Sequence, residues 1–405
     1  TNFEKMFYGA EVFDQDISVW NVSNGINFEK MFFDADEMLS SGWPITPSAS
    51  NFLGQTLTGT NGADKLYGGT GNDIFIVNHY NDVVYENASS GNDLIKASIN
   101  YALPSNVENL TLTGSNGLWG YGNELDNLIK GTSGGDYLSG FSGSSNDYLN
   151  GSGEDILIGG DGGDTYGVDS AGDTIIEKPS EGHDSVASSV SYVLPDNVET
   201  LWLSGTQRTH TNGTGNDIDN NIYGTFGNNI LTGNGGDDTL NGYGGNDILN
   251  GGLGDDSLLG GDGKDTAVFS SRNNRINLAI TNRQNTGDGI DTLSSIENVN
   301  AGGGNDIVRG DSADNRLNGQ TGADILYGNG GNDILNGGAG RDTMYGGSGN
   351  DRYIVDNSGD VIKEGYGQGT DLVQSSASYT IKNNVENLTL AGSSDINGNG
   401  NASAN

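Results

Sequence analysis

The sequence predicts an all-β repeat protein, a parallel β-solenoid built from short stacked coils. Three observations carry that expectation. Acidic and apolar residues recur together at an interval of nine. Longer segments rich in Val, Ile, Leu, Thr and Tyr recur between the nine-residue blocks and read as short strands. After Pro47 no stretch of eleven or more residues shows helical periodicity.

Composition limits the partners. With 69 glycines in 405 residues and a formal charge of −37, the chain has the make-up of a disordered segment. Against that, 33% of its residues are hydrophobic, and they are placed with a period. The charge excludes nucleic acid and anionic membrane surfaces as partners and points to cations. No run of about eighteen apolar residues is present, so no membrane-spanning helix is expected. The opening residues, TNFEKMFYGAEVF, lack a basic region followed by an apolar one, so they do not read as an ordinary signal peptide. The absence of cysteine excludes disulfides and leaves the compartment open.

Three repeats organise the chain. At the N-terminus NFEKMFYGA, from Asn2, recurs as NFEKMFFDA from Asn27. The nine-residue repeat begins with Asp64 and Asp73 and passes through Asp136, Asp147, Asp155 and Asp164, where the intervals are eleven, eight and nine. It becomes regular at Asn229, Asp238, Asp247, Asp256 and Asp265, and again at Asp306, Asn315, Asp324, Asp333, Asp342 and Asp351. Two residues after these positions stand Leu231, Leu240, Leu249, Leu258 and Ala267, then Val308, Leu317, Leu326, Leu335, Met344 and Tyr353. The third repeat is the spacer that follows each block. Its copies are DLIKASINYALPSNVENLTLTG from Asp93, DSVASSVSYVLPDNVETLWLSG from Asp184, a shortened DTLSSIENVN from Asp291, and DLVQSSASYTIKNNVENLTLAG from Asp371. Both ends break off inside a repeat, so the chain reads as part of a longer protein.

A unit such as GGLGDDSLL, from Gly251, explains the count of nine. Six turn-forming residues bend the backbone tightly and three extend as a strand. Two units make one coil of eighteen residues with strands on opposite sides. Successive coils stack strand on strand, and a single coil cannot bury its apolar side chains alone. Loops on one side then recur every eighteen residues. That brings Asp238 to Asp256, Asp247 to Asp265, Asp306 to Asp324 and Asp342, and Asp333 to Asp351. Like-charged carboxylates facing each other among glycine carbonyls suit Ca²⁺, which takes about six to eight oxygen ligands. Mg²⁺ suits them less, because it demands octahedral geometry and keeps its waters. Zinc and copper prefer Cys and His, and here there is no Cys and the three histidines are scattered.

GGNDILNGGLGDDSLLGGDGKD and GGNDILNGGAGRDTMYGGSGNDRYIV resemble the hemolysin-type calcium-binding repeats of the RTX family, of pattern G-G-x-G-x-D-x-U-x. The resemblance implies a parallel β-roll, type I secretion without an N-terminal signal peptide, and folding triggered by external calcium. Ligand roles carry over to Asp64, Asp73, Asp136, Asp155, Asp164, Asp238, Asp247, Asp256, Asp265, Asp306, Asp324, Asp333, Asp342 and Asp351. Asn229 and Asn315 stand at the Asp position and depart from the pattern, and the uneven spacing keeps Asp147 out of the set. The N-terminal MFYGAEVFDQDISVWNVSN resembles the leucine-rich-like repeats of BspA-type bacterial surface proteins, over about forty residues.

Plainer readings compete. Aspartate suits tight turns without any metal, and that alternative weighs most at Asp64, Asp136 and Asp147. Paired carboxylates also serve glycosidases, but among 54 acidic residues chance pairs are unavoidable. His79, His183 and His210 have no partners at repeat-consistent positions, and no HExxH occurs. Glu108, Glu199, Glu297 and Glu386 recur within the spacers and read as serving a repeated local hydrogen bond or as solvated. Tyr101, Tyr192 and Tyr379 recur and read as packing residues. Trp20, Trp43, Trp119 and Trp202 share no register, so no aromatic sugar platform is indicated.

The expected organisation is a BspA-like segment over 1–47, a first repeat region with spacer over 48–165, spacer and block over 166–270 and over 271–354, and a final spacer over 355–405. The expected function is that of a non-enzymatic, calcium-binding, extracellular structural or adhesive region of a bacterial surface or secreted protein. Alternatives are the non-catalytic calcium module of a secreted enzyme and a calcium-dependent glycan-binding module. Partners are several calcium ions. Self-association into a fibre or surface layer, and a host or matrix glycan or protein, are left open.

Overall fold

In a computed structural model, the residues described are 54–88, 90–114, 117–140, 145–205, 211–392 and 395–402. The BspA-like segment 1–47 lies outside them. The chain divides into two compact units, the first ending at Asp184 and the second beginning at Ser185. Every regular element among the described residues is a β-strand. No helix there is long and apolar enough to cross a membrane.

The expected coil of eighteen is present. In the second unit Ile230–Gly235 pairs in parallel with Ile248–Leu253, Leu231 opposite Leu249. On the other side of the coil Thr239–Asn241 pairs with Ser257–Leu259, Leu240 opposite Leu258. The same step places Leu317 opposite Leu335, and Leu326 opposite Met344. All eleven apolar residues of the two regular blocks, Leu231 to Ala267 and Val308 to Tyr353, are buried. Each strand thus sends one side chain inward, and sequestering a leucine contributes about 1.5–3 kcal/mol. The core is a file of such residues along each stack, so it exists only where coils adjoin.

Spacers continue the stacking with coils of other lengths. In the first unit Ile74 lies opposite Leu94, Leu94 opposite Asn109 and Asn109 opposite Leu128. In the second, Ser185 lies opposite Thr200, Arg352 opposite Leu372 and Leu372 opposite Asn387. The short spacer coil turns at Asn106, Asn197 and Asn384, whose φ angles are 68°, 65° and 65°. Asparagine tolerates that left-handed conformation, which explains its recurrence before Val in all three spacers. The turn is then tied down from the next coil. Asn123 donates its amide to the Pro104 and Val107 carbonyls, Asn216 to Pro195 and Val198, and Asn401 to Lys382 and Val385.

The shortened third spacer behaves differently. Ser257 is followed in its sheet by Thr292, and the intervening chain folds back as Gln284–Asn285, antiparallel to Ile290–Ser294. Tyr379 is buried, as a packing role requires, and its hydroxyl donates to the Asp360 carbonyl at 3.2 Å. Tyr101 and Tyr192 are half-buried.

Candidate metal centres

The repeat aspartates form ladders, and the two oxygens of each carboxylate have separate fates. Oδ1 accepts the backbone N–H of the aspartate one coil earlier. Asp238 donates to Asp256 at 2.9 Å, Asp247 to Asp265 at 2.7 Å, Asp306 to Asp324 at 2.8 Å, Asp324 to Asp342 at 2.8 Å and Asp333 to Asp351 at 2.8 Å. The first unit follows the rule too, with Asp136 donating to Asp155 at 2.7 Å. These carboxylates are at most 3% exposed. An acceptor here keeps a buried backbone N–H from being stranded, so part of each aspartate's work is structural.

Oδ2 divides the loops into two kinds. In the closed kind it accepts the N–H of the residue four earlier: Asp64 from Thr60 at 2.6 Å, Asp73 from Gly69 at 2.7 Å, Asp136 from Thr132 at 2.5 Å. In the open kind it is buried with no hydrogen-bond partner, at Asp155, Asp164, Asp238, Asp247, Asp265, Asp306, Asp324, Asp333, Asp342 and Asp351. The backbone explains most of the difference. Four residues before Asp238, Asp247, Asp324 and Asp333 stand Asn234, Tyr243, Gln320 and Asn329, with φ of 87°, 65°, 71° and 75°. That left-handed turn aims the N–H elsewhere.

The orphaned oxygen faces a second oxygen. A Cβ on Gly233 would collide with both Asp238 Oδ2 and the carbonyl of Gly251, one coil onward. Gly242 bears the same relation to Asp247 and Gly260, Gly319 to Asp324 and Gly337, and Gly328 to Asp333 and Gly346. Removing the side chain at these glycines leaves a cradle walled by a carboxylate and a carbonyl, an all-oxygen donor set.

Electrostatics points the same way. Burial, followed by neighbouring carboxylates, pushes Asp238 up to about 8, and Asp164, Asp306 and Asp333 to about 7. Asp247 reaches about 7, and Asp155, Asp256 and Asp342 about 6, from the same causes. Asp265, Asp324 and Asp351 are also raised, burial first. A buried anion with an orphaned lone pair needs a proton or a cation. The donor set is hard and flexible and lacks nitrogen and sulfur, which fits Ca²⁺. The residues that would hold it are the open-loop aspartates with the glycine carbonyls beside them.

Asparagine at the first rung acts in the cation's stead. Asn229 accepts the Thr225 N–H at 2.7 Å and donates its amide to the Thr211 carbonyl, and Asn315 donates to the Glu297 carbonyl at 3.1 Å. Asn127 and Asn220, each opening another ladder, donate likewise to the carbonyls of Glu108 and Val198. The last rung in three places is a spacer glutamate: Glu108, Glu297 and Glu386 accept the N–H of Asp93, Asp265 and Asp371 at 2.8, 2.9 and 2.9 Å. The repeated hydrogen bond expected of the spacer glutamates is present at these three, and it runs between coils rather than locally.

Seven further rungs escaped the sequence reading as ligand positions: Asp82, Asp93, Asp173, Asp184, Asp291, Asp360 and Asp371 accept N–H groups from earlier coils or lie in carboxylate clusters. Their signal was present. Asp82, Asp173 and Asp360 follow Asp73, Asp164 and Asp351 by nine, without the glycine two residues before. Asp147 is a rung as well, accepting from Asn127 at 2.8 Å, with its carboxyl raised by burial to about 6. His79 Nδ1 accepts the Asn81 N–H at 3.2 Å, and His210 lies outside the described residues.

Comparison with known proteins agrees with this arrangement. The RTX calcium-binding nonapeptide repeat model matches residues 54–78, 214–249, 241–268, 285–326, 300–335, 318–353 and 327–362. Residues 1–46 match a family described as Mycoplasma protein of unknown function, DUF285, over the segment that resembles BspA-type repeats. A stretch of 91 residues is 44% identical to endo-1,3-1,4-beta-glycanase ExsH of Rhizobium meliloti (strain 1021), covering 20% of this chain and 19% of that protein. Another of 88 residues is 35% identical to endo-1,3-1,4-beta-glycanase EglC of the same organism, covering 19% of each. The chain therefore aligns with about a fifth of the length of these relatives. With ladder, cradle and family match in agreement, the blocks within residues 54–78, 214–268 and 285–362 are RTX calcium-binding nonapeptide repeats.

Proposed function

We propose that this region is a non-catalytic structural or adhesive segment of a bacterial surface or secreted protein, and that calcium drives its folding after export. The observation that carries the reading is the row of buried, unpartnered Oδ2 atoms in successive coils. Where calcium is scarce these carboxylates repel one another, and stacking is opposed. Where it is abundant each ion joins two coils, and binding confined to the folded state adds to stability. The type I route and the surface location rest on the RTX resemblance, with the match over residues 1–46 as further support for the location. Self-association into a fibre or surface layer belongs to the same reading.

A second reading is favoured by the glycanase matches: the region serves as the calcium module of a secreted enzyme whose catalytic part lies elsewhere. Glycan binding by the coils themselves has less support. Tyr327 and Tyr345 stack at 4.6 Å, with the Arg309 guanidinium 3.8 Å over one ring and the Lys363 ammonium 4.9 Å from the other. Trp202 and Tyr223 stack at 3.8 Å. These rings turn their faces to each other, whereas a sugar needs an open face.

Circular dichroism during a calcium titration, with magnesium as control, tests the folding mechanism. β-structure should appear with calcium and fail to appear at equal magnesium. Complete β-structure in excess EGTA would refute it.

A further inference from the structure

We infer that each of three block-to-spacer junctions holds a calcium ion of its own, in a three-carboxylate pocket unlike the nonapeptide loops. The pockets are Asp73, Glu86 and Asp93; Asp164, Glu177 and Asp184; and Asp351, Glu364 and Asp371. The glutamate follows the first aspartate by thirteen residues and precedes the second by seven in every copy. Two of the three members lie outside the nine-residue motif.

Size is the first argument. In each pocket one oxygen from each residue lies within 4.8 Å of the other two. Calcium takes its ligands at about 2.3–2.6 Å, so oxygens sharing one ion stand at most about 5 Å apart. One ion can therefore touch all three.

The second argument is independent of the clustering. Each pocket contains an aspartate oxygen with no hydrogen-bond partner: Asp93 Oδ2, Asp164 Oδ2 and Asp351 Oδ2. These residues are 0%, 1% and 1% exposed, so water does not supply the missing partner freely. A glycine walls each pocket. A Cβ on Gly68 would strike Glu86 Oε2 and Asp73 Oδ2, one on Gly159 would strike Asp164 Oδ2, and one on Gly346 would strike Asp351 Oδ2 and Glu364 Oε1.

The glutamate is held in place by a donor. The buried phenols of Tyr166 and Tyr353 donate to Glu177 Oε1 and Glu364 Oε1. The first copy has Phe75 at that position, and Ser90 Oγ donates to Glu86 Oε1 at 2.7 Å instead. Three ionised carboxylates in one such pocket require a counter-charge. Burial and the neighbouring acids push Glu177 up to about 8 and Glu364 to about 7, so a proton is the ion's competitor.

Position gives the ion its work. At each junction the ladder step is twenty residues, against eighteen within the regular blocks: Asp73 donates to Asp93, Asp164 to Asp184 and Asp351 to Asp371. An ion there would pin the last nonapeptide coil to the first spacer coil. The junction then marks where calcium-dependent stacking passes into the spacer's apolar stacking.

The inference uses the calcium chemistry of the reading above, and its test separates the two. The full chain, the triple variant E86Q/E177Q/E364Q and the loop variant D247N/D333N are compared by calcium equilibrium dialysis and by terbium(III) emission excited through tyrosine. Glutamine keeps the phenol's acceptor and removes one ligand charge per pocket. The triple variant should bind three fewer calcium ions per chain and lose the terbium emission sensitised by Tyr166 and Tyr353. The loop variant should lose calcium while keeping that emission. Y166F/Y353F should keep the calcium count and lose the emission, which decides the matter if the triple variant does not fold. Unchanged calcium binding by the triple variant, or unchanged emission from Y166F/Y353F, overturns the junction sites alone. A parent chain that binds no calcium would overturn the nonapeptide reading as well.

Discussion

Asp333 and Asp136 occupy equivalent rungs and meet different loops. Each accepts, through Oδ1, a backbone N–H from the preceding coil, Asn315 at 2.8 Å and Leu118 at 2.6 Å. At Asp136 the second oxygen is capped by the Thr132 N–H, and the Thr132 hydroxyl joins it at 3.0 Å. At Asp333 the second oxygen has no partner, because Asn329 four residues earlier is left-handed with φ of 75°. The same residue type at the same period thus does two jobs. In the closed loop an aspartate completes the backbone's hydrogen bonds. In the open loop it does half of that and leaves an anionic oxygen buried beside a carbonyl.

The largest expected effect separates these jobs directly. In millimolar calcium, Asp333→Asn should cost about 3 kcal/mol, the mass-action stabilisation of a site held near a hundredfold above its Kd. In EGTA at pH 8 the same change should be neutral or stabilising. The Asn side chain still accepts the Asn315 N–H, as asparagines do elsewhere in the ladders, and a buried charge is gone. Urea unfolding of the two proteins in calcium, and their residual β-structure by circular dichroism in EGTA, check the change of sign.

Asp136→Asn should behave otherwise. Both oxygens of Asp136 accept backbone N–H groups, so the amide leaves one donor unsatisfied, at a cost of about 1–3 kcal/mol. The loss, read from urea unfolding, should be the same at every calcium concentration that keeps the chain folded. A calcium-dependent loss would place an ion at Asp136, which belongs to no junction pocket, and dissolve the distinction between it and Asp333.

A third effect is a pH dependence. In the folded chain Asp238 sits at about 8, Asp164, Asp247, Asp306 and Asp333 at about 7 and Asp155 and Asp342 at about 6, with Asp265, Asp324 and Asp351 also raised, against about 3.9 when unfolded. A raised folded value means that the metal-free folded chain binds more protons. The associated stability is therefore fully present below about pH 4 and lost as pH rises through about 6 to 8. Residual β-structure in EGTA should fall over that range. In saturating calcium it should not, and apparent calcium affinity should rise with pH as ions displace protons.

Much of this was legible in the sequence. The interval of nine foretold the coil of eighteen, and the apolar residue two places on foretold the core, because pleating and stacking leave that position nowhere else to point. The spacers' strands were visible in their β-branched residues. Their continuation of the same stacking was not, because coils of fifteen and twenty residues break the count. The division of the aspartates was hidden as well. It depends on the handedness of the residue four earlier, and Tyr243 or Gln320 gives no hint in composition of a positive φ. The junction glutamates were missed because Glu86, Glu177 and Glu364 follow a spacing of their own, outside the nine-residue frame.

Hydrogen exchange of the full chain, with calcium and with EGTA, tests the central claim most directly. The ladder amides of Asp238, Asp247, Asp306, Asp324 and Asp333 each donate to the carboxylate of the next coil. They should be protected in calcium and exchange freely in EGTA. Equal protection in both would mean that the stacked coils stand without the ion.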